Sequence, residues 1–239
     1  MLLSKKKKLK KIAFYTVISL LIAIVVGLAV KFGIDIYKEL TKPVRTLTEQ
    51  EIPLGGGLNI IKTGKYSGKY MEDGTDDEVE NVMFIILKNN SSRDLQYADV
   101  TVFSADTEFL FTASNVPSGS SVMLLEKGRQ ESKKKITSAE SRNVVFFDKN
   151  MDIQKSLFKI QQLEGAINLI NISKKDITED IYLYYKKKSE DVYFGGITYL
   201  AKVTGGMKAD EIKQLSTKHF SSADSEIVNI VLVTAAESE

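Results

Sequence analysis

The chain has 239 residues, 33 basic and 31 acidic groups, a formal net charge of +2 and no cysteine. The lack of cysteine excludes a disulfide framework, a lipoprotein attachment and a thiolate metal site. Arginine stands only at positions 45, 93, 129 and 142, so surfaces that fork onto phosphates or read bases are not expected, and no nucleic-acid partner is predicted.

In chain order the first feature is a lysine cluster, Lys5 to Lys8 with Lys10 and Lys11, followed by an apolar run from Ile12 to Val30. Thr16, Ser19 and Gly27 are its only interruptions. At the helical rise these residues reach about 28 Å, close to the ~30 Å hydrocarbon core of a bilayer. Lysine clusters stay on the cytoplasmic side. Residues 1–11 are therefore read as a cytoplasmic basic tail and 12–30 as a single transmembrane helix, a signal-anchor, with the bulk of the chain extracytoplasmic at the cell membrane. Small residues at Gly27-Leu28-Ala29 keep a cleaved signal peptide open as the alternative. Six of the 33 basic groups precede the run, leaving 27 against 31 acidic ones, a net of −4 for the rest. The overall positive sign is thus an orientation signal.

Residues 31–57 read as a juxtamembrane helix and stalk. Pro43 disfavours helix at Lys42, and Pro53 and Gly55-Gly56-Gly57 follow. A first strand is expected near Leu58 to Ile61. From residue 80 the pattern turns to β. Val82 to Leu87 is continuously apolar, whereas Asp99 to Phe103 and Asp180 to Tyr185 alternate. Asn143 to Phe147, Ala166 to Ile172, Ile197 to Val203 and Ile227 to Val233 are further strands, separated by Asn, Ser, Pro and Gly clusters.

Asn89-Asn90-Ser91-Ser92-Arg93-Asp94-Leu95 recurs 82 residues later as Asn171-Ile172-Ser173-Lys174-Lys175-Asp176-Ile177. Asn, Ser and Asp bond to nearby backbone and stabilise turns between paired strands. The repeat predicts two tandem β-sandwiches, at 58–150 and 151–239. An apolar strand, N-x-S-x-x-D-[L/I], an alternating aromatic strand such as Ile181-Tyr182-Leu183-Tyr184-Tyr185 and a Pro-Gly turn resemble the immunoglobulin-like FxLYD-type modules of bacterial envelope proteins. The resemblance covers about residues 80–125 and 163–215. It implies a mainly β fold of tandem immunoglobulin-like sandwiches behind the transmembrane helix, and it transfers no catalytic residue. Tyr185 stands where that pattern has Asp.

Several motifs invite a chemical reading. Ser132-Lys133-Lys134-Lys135, Ser141-Arg142-Asn143 and Lys62-Thr63-Gly64 imitate the penicillin-recognising set, but K-T-G comes first instead of last and the other two are too close together. The acidic run offers Asp73, Asp76, Asp77 and Glu78 as oxygen ligands for calcium. It lacks EF-hand spacing, and a solvated turn around Asp73-Gly74 is the expectation. His219 has no second imidazole or thiol with which to hold zinc, and packs or lies in a loop. No catalytic residue, cofactor or metal is predicted. Tyr182, Tyr184, Tyr193 and Phe194 crowd the second unit. Alternation presents some of them to a partner or to the first sandwich.

The expected function is a non-enzymatic, membrane-anchored interaction or assembly module of a bacterial envelope complex. Its partners are the bilayer and another envelope protein, or a second copy by self-association. A ligand-sensing subunit is the alternative. An envelope hydrolase ranks below both because it needs a nucleophile and base that the sequence does not offer.

Overall fold

The computed structural model describes residues 44–75, 77–105, 107–131 and 135–234, with side chains from Glu51 onward. The basic tail, the apolar run at 12–30 and the segment 31–43 lie outside the described residues, as do Asp76 and Ser132. No helix among the described residues is long and apolar enough to cross a membrane.

The described chain is mainly β. Its strands are β1 (Val44–Gly55), β2 (Leu58–Lys69), β3 (Glu78–Asn89), β4 (Leu95–Ser104), β5 (Glu108–Val116), β6 (Ser121–Leu125), β7 (Ile136–Phe146), β8 (Phe158–Leu163), β9 (Ala166–Asn171), β10 (Asp180–Ser189), β11 (Val192–Val203), β12 (Ile212–Ser216) and β13 (Ser225–Val233). Residues 44–57 form a strand and its turn where a stalk was expected. β1 pairs antiparallel with β2 through the Gly55-Gly56-Gly57 turn, whose three φ values are positive. Only glycine enters that region freely, and Pro53 is tolerated because β1 is an edge strand.

Three sheets result. One has seven strands in the order β1-β2-β3-β6-β11-β10-β13, and two have three strands, β5-β4-β7 and β12-β9-β8. The topology repeats. β2-β3-β6 with β5-β4-β7 in the first repeat corresponds to β8-β9-β12 with β11-β10-β13 in the second. Each repeat has its own core, fed by both of its sheets. Leu58, Ile85 and Leu124 meet Val100, Phe111 and Ile136 in the first, and Ile167 and Leu169 meet Leu183, Val203 and Ile230 in the second. Each such side chain contributes about 1.5–3 kcal/mol on burial.

The first repeat's last strand ends at Phe146 and the second repeat's first strand begins at Phe158. The seven-stranded sheet crosses between the repeats at one place, where β6 and β11 pair in parallel. β3 and β6 are covered on both sides. A third cluster, with Tyr66, Tyr70, Phe84 and Leu125, packs on the face away from the first core. That second covering explains the unbroken apolar run Val82 to Leu87.

Candidate interaction surface

The two Asn-x-Ser turns fold alike and explain the repeated letters. Asn89 is fully buried and its amide donates to the carbonyls of Arg93 (3.0 Å) and Val116 (3.1 Å), while its Oδ1 accepts from the backbone N–H and hydroxyl of Ser91. Asn171 is equally buried and donates to Lys175 (2.7 Å) and Lys208 (2.9 Å), while Ser173 donates to it twice. Asp94 accepts from the N–H of Ser118 (2.6 Å), and Asp176 from that of Ala209 (2.9 Å). Each clasp ties the end of one sheet to the far turn of the other. The role of these residues is architectural.

The hairpin of β10 and β11 reaches into the first repeat. Val192, Tyr193 and Phe194 pair with Ser121, Val122 and Met123. Tyr193 is buried in the first core, and its hydroxyl donates to Glu226 (3.1 Å). Burial and the Glu226 carboxylate push that phenol far above its ordinary range. Phe194 packs against Tyr66 with ring centroids 5.4 Å apart. Beyond them the chain passes so close to β5 that a Cβ on Gly196 would lie 1.8 Å from the Thr112 carbonyl oxygen.

A half-buried carboxylate and a fully buried ammonium stitch this crossing. Glu72 accepts from the N–H groups of Leu125 and Gly196, both at 2.7 Å, so one carboxylate joins β6 to β11. Lys186 is fully buried and donates to the carbonyls of Ser114 (3.0 Å) and Ile197 (2.8 Å), joining the second repeat to β5. Burial pushes the Glu72 carboxyl up to about 7, against the pull of its two N–H donors and of Lys186. Burial likewise brings the Lys186 ammonium down to about 7, with Glu72 opposing. Neither role was legible beforehand: Glu72 sits in an acidic run and Lys186 in a lysine triplet, and both patterns usually mean solvated charge.

Of the four aromatics singled out in the sequence, Tyr193 and Phe194 are therefore spent within the chain. Tyr182 and Tyr184 lie on the outer face of the seven-stranded sheet. Tyr182 carries the Lys202 ammonium over its ring at 4.8 Å, and Lys202 also pairs with Asp180 (2.8 Å). Neighbours on this face include Leu200, 49% exposed, and Val231 and Val233, 36% and 41% exposed. Tyr184 borders a cleft of about 330 Å³ between the repeats, lined also by Tyr97, Phe147, Gln96, Asn115 and Asn229. Asn115 stands at a positive φ of 48° near the end of β5. Asn tolerates that conformation better than other side chains. Aromatic faces, aliphatic side chains and amides together suit the centre of a protein contact or a small polar ligand.

The remaining candidates are placed as follows. Asp73 and Asp77 both receive the Arg129 guanidinium, at 2.7 and 3.0 Å, and Arg129 in turn covers the Tyr70 ring at 4.5 Å. Burial opposes it, but Thr75 and Arg129 hold the Asp73 carboxyl below its usual range. Glu78 begins β3, and Asp76 lies outside the described residues. No group of three or more metal-ligating side chains converges among the described residues. His219 stacks on Tyr199, with centroids 5.0 Å apart. Ser141 donates to the Leu54 carbonyl (3.0 Å), Asn143 to Asp99 (2.9 Å), and Lys62-Thr63-Gly64 is an internal stretch of β2. Two of the imitated motifs thus fall on separate strands, β2 and β7, while residues 132–134 of the third lie outside the described residues.

No protein-family model matches this chain, and neither a curated protein nor a solved structure matches it.

Proposed function

We propose that the chain is a non-enzymatic interaction module anchored by residues 12–30 in the cytoplasmic membrane of a bacterium, with tandem immunoglobulin-like sandwiches outside. It serves to hold another protein of an envelope assembly. The observation that carries this reading is the exposed face of Leu200, Tyr182, Val231 and Val233 beside Tyr184. Contiguous apolar and aromatic exposure is the mark of a contact surface. The lysine cluster before the apolar run sets the orientation. The cleft beside Tyr184 favours a second reading, a ligand-sensing subunit whose signal passes through a membrane partner, because its amides and aromatic rings converge between the two repeats.

Topology is directly testable, because the chain has no cysteine of its own. Glu190→Cys introduces a single exposed thiol at the tip of the second repeat. A membrane-impermeant maleimide added to intact cells is expected to label it fully. Labelling only after lysis would place the β region in the cytoplasm and remove the envelope reading.

A further inference from the structure

We propose that the groove beside β12 is a strand acceptor, taking in parallel orientation an extended, acidic and aromatic segment of a separate protein. The internal repeat supplies the precedent. Lys88, one residue before Asn89, pairs with Ser121, and Ile170, one residue before Asn171, pairs with Ile212. Ile212 to Leu215 therefore stand where Ser121 to Leu124 stand in the first repeat. On the other wall Leu95 pairs with Val116 and Ile177 with Met207, and the next core-facing pairs are Ala98 with Ala113 and Ile181 with Val203. Lys202 to Thr204 therefore correspond to Thr112 to Ser114.

In the first repeat this groove is filled. Val192 to Phe194 lie along Ser121 to Met123, and Gly196 then crosses Thr112, with its carbonyl accepting from the Ser114 hydroxyl at 2.7 Å. All five residues of β6 are buried as a result. In the second repeat the same walls, Lys202 to Thr204 and Ile212 to Leu215, enclose an open groove of about 420 Å³. β12 pairs with β9 alone, and Ile212 is 61% exposed. An edge strand leaves a row of unpaired N–H and C=O groups, and adding a strand to such an edge is a recurring mode of peptide capture.

The chemistry of the groove selects its occupant. Lys202 and Lys213 replace Thr112 and Val122 of the first repeat, and no acidic side chain lines it. Lys202 is met by Asp180, and Lys213 donates to the Gly206 carbonyl (2.6 Å). Two copies joined through β12 would bring four lysines together, so a second copy is disfavoured. The strand that fills the first groove is preceded by Glu190 and Asp191, carries Tyr193 and Phe194, and crosses on Gly195-Gly196. A partner strand of that character meets both the lysines and the close crossing.

The groove meets the face around Tyr182 at Lys202, which covers the Tyr182 ring, but the test reads only the β12 edge and involves neither the anchor nor the rest of that face. The full chain in detergent micelles is mixed with a synthetic peptide of residues 189–198, and amide hydrogen exchange is followed. The peptide should slow exchange at residues 212–216, whereas a scrambled peptide should not. Replacing Glu190 and Asp191 in the peptide by Gln and Asn should weaken binding about fivefold. No protection of β12 with peptide up to about 1 mM would overturn the proposal. Protection already present without peptide, and lost on dilution of the protein, would assign the groove to a second copy instead.

Discussion

At the residue scale the clearest result is the pair of buried asparagines. Each satisfies backbone carbonyls of two different loops, a task for which a side chain with both donors and an acceptor is required. Removing the donor strands those carbonyls in a buried site, which costs about 1–3 kcal/mol each time. Asn89→Ala and Asn171→Ala are each expected to lower unfolding stability by about 2 kcal/mol in urea titrations. Asn→Asp at either site should lose a similar amount, since it keeps the acceptor and loses the amide donor. Neutral substitutions would mean that water replaces the clasp. This motif was legible in the sequence because its bonds are local: Asn, Ser and the following carbonyl lie within four residues. Glu72 and Lys186 were not legible. Their burial depends on partners up to 124 positions away, and nothing in a run of like charges marks the member that turns inward.

At the element scale the crossing of β11 over β6 and β5 joins the two repeats. Strands that alternate or run continuously apolar could be read in advance, as in β3, β4, β9, β10 and β13. The missed elements have physical reasons. β1 carries Pro53 and ends in three glycines, β6 and β12 have five residues each, and a three-residue parallel pairing has no local signature. The crossing also carries a pH signature. The Glu72 carboxyl is raised from 4.5 to about 7 by burial, so folding favours its protonated form. Its contribution is then fully present below about 4.5 and is lost as pH rises through about 7. Lys186 acts in the opposite sense. Lowered from 10.5 to about 7, it contributes fully only above 10.5 and is lost as pH falls through about 7. The difference in unfolding free energy between wild type and Glu72→Gln should therefore move against the wild type as pH rises from 4.5 to 7. A difference that stays constant over that window would contradict the burial of an ionisable group at the crossing.

At the scale of the whole molecule, the repeats are spliced edge to edge through one sheet. Their separation requires unpairing β6 from β11, drawing Tyr193 from the first core and breaking the Glu72 and Lys186 stitches. The β region thus holds its outer face and its open edge in fixed register. We propose that the face around Tyr182 and Val231 holds another envelope protein. It is tested most directly by placing a photo-crosslinking residue at Val231, and separately at the exposed Lys159 of β8, in intact native membranes. The account predicts one reproducible membrane-associated protein captured from position 231 and not from 159. The same products from both positions, or none from 231, would contradict it.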